Sequence, residues 1–156
     1  MERAPMTPEG FEALKLELER LKAEMPKISL EIGVAIDHGD LKENAEYHAA
    51  KEKQGMTVAR MGDIEDKLSR AEVIDTSMLG GDRVKFGATV ELEDIDSGKS
   101  VTYRLVGADE ANVESGTLSI TAPVARALIG KEVGDEVKVR VPGGLRTYEV
   151  SDVRWK

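Results

Sequence analysis

A chain of 156 residues with 22 Lys or Arg against 30 Asp or Glu, a net charge of −8, lacks the basic face that counterion release on duplex DNA requires. With no cysteine and only two histidines, His38 and His48, it excludes disulfide frameworks and thiolate zinc sites, and it holds too little imidazole for a typical all-protein transition-metal centre. No run of about 18 apolar residues suits a membrane span, and residues 1–15 lack the basic start and apolar stretch of a secretory signal, so the cytoplasm is the expected compartment.

The pattern changes near Asp75. Residues 1–75 hold 11 basic and 17 acidic side chains and few turn signals. Thr7 before Pro8 reads as a helix start, a Thr cap followed by proline in the first turn. Phe11, Leu14, Leu18, Leu21, Met25, Ile28, Ile32 and Ala35 then recur at alternating spacings of three and four, a heptad seam. Pro26 lies inside it and predicts a kink or local opening, because it removes a backbone donor. After His38-Gly39-Asp40, the spacing resumes with Tyr47, Ala50, Gln54, Thr57, Met61, Ile64, Leu68 and Ala71. Gln54 and Thr57 are weak seam residues beside Met56 and Val58, which predicts irregular packing. Two such arms joined at a glycine predict an antiparallel coiled-coil hairpin, roughly 45 Å long at about 1.5 Å per residue. Its seam is satisfied within one chain, which makes a monomer the expected state.

The remainder is punctuated by glycine pairs and turns between Val-rich runs. Val84–Asp94 and Ser100–Val106 read as a hairpin around Asp96-Ser97-Gly98. Val113–Ile120 is a third strand candidate. Pro123 to Ile129 is a short helix, with proline at its first position and Gly130 closing it. Glu136–Val141 and Arg146–Val153 make a second hairpin around Pro142-Gly143-Gly144, and Trp155 anchors the last strand. The expected class is α+β in two domains. Residues 1–76 form the helical hairpin, and residues 77–156 form an antiparallel sheet with one short helix.

The tip of the rod runs from His38 to Tyr47. Asp40 and Glu43, three apart, point the same way if the segment is helical. Two carboxylates there can serve a divalent cation. Asp-x-x-Glu at a helix start is also a capping box, and capping is the commoner use of that spacing. As a metal site the pair is incomplete, because Mg²⁺ takes six oxygens. That disfavours an autonomous nuclease and suits a tip that completes another protein's metal site. Asn44 reads as a local backbone bonder. Tyr47 falls on the seam. His38 reads as a loop hydrogen-bonder. Lys42, Lys51 and Lys53 are solvated helix charges or, near an RNA end, phosphate contacts.

The residues here carry a resemblance. Residues 38–55, HGDLKENAEYHAAKEKQG, with 63–75, DIEDKLSRAEVID, resemble the Gre family of bacterial transcript-cleavage factors. So do 6–22, MTPEGFEALKLELERLK, 83–98, RVKFGATVELEDIDSG, 102–107, TYRLVG, and 123–137, PVARALIGKEVGDEV. The resemblance implies a rod that enters the secondary channel of bacterial RNA polymerase and an FKBP-like globular domain that docks at the channel rim. It implies that Asp40 and Glu43 help hold a second Mg²⁺, shared with the polymerase active site, and its attacking water at the extruded RNA 3′ end. No metal is expected on the free protein, which acts as an accessory factor rather than an enzyme. It makes Gly39, Leu41, Lys42, Asn44 and Tyr47 the supports of the tip, with Lys51 and Lys53 the candidate RNA contacts. Residues 33–37 lack the family's basic residue, which weakens the expected RNA contact. Thr121-Ala122 stand where the family has Ser before proline, with Thr121 a substitute cap.

Two further readings belong to other classes. One is a channel-binding inhibitor of polymerase that does not stimulate cleavage; Lys42 between the two carboxylates favours cleavage over it. The other is an FKBP-like folding factor with a coiled-coil handle. The scarcity of aromatic residues argues against its proline pocket.

Overall fold

The computed structural model describes residues 2–39, 44–76 and 79–155. The chain divides into two compact units, Glu12–Arg70 and Met1–Phe11 with Ala71–Lys156. The elements in order are β1 (Ala4–Met6), α1 (Pro8–Asp37), α2 (Ala45–Arg70), β2 (Ala71–Val73), β3 (Thr89–Asp94), β4 (Ser100–Val106), β5 (Thr117–Ser119), α3 (Pro123–Leu128), β6 (Glu136–Val141) and β7 (Gly144–Arg154). Among the described residues, no helix is long and apolar enough to cross a membrane.

The hairpin unit follows the heptad. Leu14, Leu21, Ile28 and Ala35 of α1 are buried, as are Ala50, Thr57 and Ile64 of α2. The alternate positions Leu18, Met25, Ile32, Gln54, Met61 and Leu68 are half-buried. Thus one seam position in each heptad is shut away and the other is only shielded. Around Thr57 the burial spacing of the seam is kept. Thr57 keeps its seam place because its hydroxyl donates to the Lys53 carbonyl at 2.8 Å, which satisfies the polar atom inside its own helix. Met56 and Val58 face solvent. Pro26 does not break α1, which runs unbroken through it. The proline is exposed, so the carbonyl it leaves unpaired can be solvated. Across the arms, Arg60 grips Glu17 with two parallel bonds of 2.8 and 2.9 Å, and Lys53 meets Glu31 at 3.6 Å.

In the globular unit, five strands run in the order β5-β4-β3-β7-β6. The sheet is mixed rather than wholly antiparallel, because β5 lies parallel to β4. The expected third strand is shorter than its apolar pattern. Val113–Ser115 form a 3₁₀ turn closed by Gly116 at φ 85°, and only Thr117–Ser119 pair. The first strand starts at Thr89, not Val84. Gly87 adopts φ 87°, a left-handed turn that breaks the ladder, and buried Val84 packs from the loop before it. The core holds Val84, Val90, Leu92, Leu105, Leu128 and Val150 among others, all buried. Thr121 does not cap α3. Ala122 holds the cap position without a side-chain bond, and Thr121 instead pairs with Ser119.

One pairing had no signal in the periodicity. β1 runs parallel to β2, with Ala4 opposite Ala71 and Met6 opposite Val73. Ala71 is therefore a strand residue and not the last seam position. The start of α1 is fixed inside the same unit. Glu110 accepts from Thr7 N at 2.7 Å, from Gly107 N at 3.0 Å and from the Thr7 hydroxyl. Gly10 and Gly107 are the small residues this needs: a Cβ on Gly10 would sit 2.1 Å from the Glu110 carboxylate, and one on Gly107 would sit 2.0 Å from the Pro5 carbonyl.

Candidate functional site: the hairpin tip

Of the tip residues singled out in the sequence, Asp40, Leu41, Lys42 and Glu43 lie outside the described residues. Both ends of that segment are described. On the incoming side, α1 tightens as it ends: His38 N bonds Ala35 O and Gly39 N bonds Ile36 O, each at 3.1 Å. Gly39 then adopts φ 113°, a conformation that favours glycine. On the outgoing side, α2 begins at Ala45. Asn44 is its cap: the side-chain oxygen accepts from Tyr47 N at 3.0 Å, and the main-chain carbonyl accepts from His48 N at 3.1 Å. The helix takes this cap four residues beyond the place the capping-box reading gives to Asp40.

Asn44 does a second thing. Its amide nitrogen donates to the Ala35 carbonyl at 2.5 Å. One side chain thereby starts α2 and ties it to the last turn of α1, where Ala35 is buried. An Asp could cap but could not donate, so the tie explains the choice of Asn. Outside it, His38 Nδ1 meets Glu46 Oε2 at 2.9 Å between two exposed side chains. Glu46 had no role in the sequence reading; its place opposite His38 about the loop is the signal that could have found it.

The remaining candidates are placed as follows. Tyr47 is half-buried on the seam, its ring edge-on to His48 with centroids 5.5 Å apart. Lys51 bonds Gln54 at 3.2 Å, and Lys53 bridges to Glu31. Both lysines are exposed and leave most of their surface to solvent. In sequence, the four residues between these two fixed ends carry two carboxylates, and residues 33–37 hold no basic residue.

Comparison with known proteins is consistent along the whole chain. Residues 4–73 match the family model "Transcription elongation factor, N-terminal", and residues 79–154 match "Transcription elongation factor, GreA/GreB, C-term". The chain is 56% identical to the transcription elongation factor GreA of Hyphomonas neptunium, with all of both chains covered. It is 54% identical to that of Phenylobacterium zucineum, with 99% of each covered. Among solved structures it is similar to GreA factor homolog 1 of Thermus thermophilus at 29% identity and a TM-score of 0.45, over 98% of this chain and 99% of that one. Both family models and full-length identities above one half agree: the chain belongs to the GreA/GreB family of transcription elongation factors.

Proposed function

We propose that this chain is an accessory factor of bacterial RNA polymerase that enters the secondary channel and stimulates cleavage of the RNA 3′ end in backtracked complexes. The observation that carries the reading is Asn44. Because Asn44 caps α2, the helix does not need a carboxylate in the tip for that purpose, which supports a chemical rather than a structural use for Asp40 and Glu43. Their donor set fits Mg²⁺ in part. Two hard carboxylates are what that ion usually takes from a protein, and the polymerase and water would complete its six oxygens. Bound there, the ion would activate a water and stabilise the phosphodiester oxygens. The chain's own residues deliver and hold the tip: the hairpin carries it, and Gly39 and Asn44 fix its two ends. Lys51 and Lys53, exposed on α2, would offset RNA phosphate charge. The globular unit docks at the channel rim.

The test is RNA cleavage in stalled, backtracked complexes with wild type and an Asp40→Asn/Glu43→Gln double variant. Asn and Gln keep the hydrogen-bonding shape and remove the anionic ligands. Wild type should stimulate cleavage, and the double variant should bind polymerase without doing so. Equal cleavage by both would refute the role of the carboxylates. Binding and slowed elongation without cleavage by either would establish a channel inhibitor instead.

A further inference from the structure

Away from the hairpin, the globular unit holds a pocket of about 330 Å³ whose walls include Asp94, Lys99, Val101, Tyr103, Arg146 and Tyr148. It lies at the turn end of β3, β4 and β7. Register brings the walls together: Leu92 pairs with Val101, Val90 with Tyr103, and Asp94 with Tyr148. The site is built from behind. Asp94, with its side chain only 9% exposed, accepts from Arg146 Nη1 at 2.9 Å on one oxygen. Its other oxygen accepts from the backbone of Asp96 and Ser97 at 3.0 and 3.3 Å. Arg146 is thus held by one nitrogen and keeps Nε and Nη2 unpartnered among the described residues. The Lys99 ammonium and the hydroxyls of Tyr103 and Tyr148 also have no partner among them. Two cations, two tyrosines and a valine thus line one pocket, with a volume at the lower end of ligand pockets, about 300–1,000 Å³.

We propose that this pocket anchors an acidic peptide segment of the polymerase, its carboxylate taken by Arg146 and Lys99 and a neighbouring apolar side chain seated on Val101, Tyr103 and Tyr148. The inference rests on the docking half of the reading above and names the chemistry of the contact. A planar guanidinium pinned on one side presents its free fork to a carboxylate. Nucleic acid is the poorer occupant. A polyanion meets repulsion from a chain of net charge −8, whereas a short segment with one or two carboxylates meets little.

The experiment measures the Kd of the full chain for core RNA polymerase without nucleic acid, and again for a backtracked complex. Three variants are compared: Lys99→Glu, Tyr148→Phe, and Arg146→Lys, which keeps a donor for Asp94 and removes the fork. Lys99→Glu should weaken binding to core about tenfold and flatten its salt dependence. Tyr148→Phe should weaken it by about threefold, the loss of one hydrogen bond. If Arg146→Lys melts early, the other two variants carry the test. Wild-type affinity in all three refutes this pocket while leaving the docking reading intact. Failure of wild type itself to bind core refutes the docking reading. A loss seen only with the RNA-bearing complex makes RNA the occupant and overturns the proposal.

Discussion

Glu110→Ala should be among the more damaging single changes in the globular unit, and Glu110→Gln one of the mildest at the same position. The carboxylate takes the N–H of Thr7 at 2.7 Å and of Gly107 at 3.0 Å on one oxygen. Thr7 is 1% exposed and Gly107 is buried, so truncation orphans two buried donors. At about 1–3 kcal/mol for each, the cost is roughly 2–6 kcal/mol. For a chain of this length that is a fall of about 4–24 °C in Tm. In Gln, the amide oxygen takes both N–H groups, and the amide nitrogen donates to the Thr7 hydroxyl, which already accepts from Gly10 N at 3.1 Å and whose own O–H gives up its acceptor. The charge assistance and one hydroxyl bond are lost while both backbone N–H groups stay paired, about 1–2 kcal/mol. Gly107→Ala should resemble the truncation, because the added Cβ meets a backbone carbonyl at 2.0 Å. Trp155 reports on this unit alone, its ring N–H bonded to Gly81 O at 3.0 Å, so thermal unfolding followed by tryptophan fluorescence is the assay. Equal losses in Ala and Gln would show that the charge, not the orphaned donors, sets the cost. No loss in either would mean that water reaches both N–H groups, and the argument would fail.

Three further outcomes are expected. Ile64→Ala, at a fully buried seam position, should destabilise the hairpin by about 2–5 kcal/mol in melts followed by far-ultraviolet circular dichroism, while Leu30→Ala at 71% exposure should change little. Burial works to raise the Asp94 carboxyl, but the N–H groups of Asp96 and Ser97 and the Arg146 guanidinium outweigh it and hold it below the ordinary carboxylate value. Asp94 therefore contributes stability above the unfolded value of about 3.9, which is lost as pH falls through the lower folded value; fluorescence melts of wild type and Asp94→Asn should differ at pH 7 and converge at the acid end. Asn44→Asp should preserve the cap on α2, whereas Asn44→Ala should lose about 1 kcal/mol from the cap alone, and both should lose the tie to Ala35, read as faster amide exchange in the last turn of α1.

Much of this fold was legible because two periods dominate it. A heptad needs only apolar side chains at the right intervals, and burial at Leu14, Leu21, Ile28 and Ala35 follows that spacing residue by residue. The β6–β7 hairpin was legible in the same way, since Pro142-Gly143 can only turn. The β1–β2 pair was not, because three residues carry no period and the pairing joins segments more than 60 residues apart. Glu110 was equally hidden: a carboxylate that serves backbone donors across the unit looks like any surface acid until Thr7 lies beside it. At the tip, the capping-box spacing pointed to Asp40, whereas α2 takes its cap from Asn44. Capping boxes are read from spacing, and Asn44 satisfies α2 from a position that spacing alone ranks below Asp40.

The register of the hairpin also traces back to Asn44. Among the described residues, side-chain ion pairs cross the arms at Glu17–Arg60, Glu31–Lys53 and His38–Glu46. All are substantially exposed, and such pairs are worth about 0–1 kcal/mol each. They also tolerate error. Sliding α2 by one heptad in one direction would set Glu17 against Lys67 and Glu31 against Arg60, which is still attractive, and the repeating seam would still bury apolar side chains. Neither charge nor hydrophobicity therefore chooses between those alignments. The bond from Asn44 to the Ala35 carbonyl does so at the tip, because it exists only when the start of α2 stands beside the last turn of α1, and the pairing of Ala4 with Ala71 constrains the chain where it enters and leaves the arms. The residue that closes the tip thus also aligns the seam behind it. A change that loosens the tip and a change that shifts the register are, at this position, one perturbation.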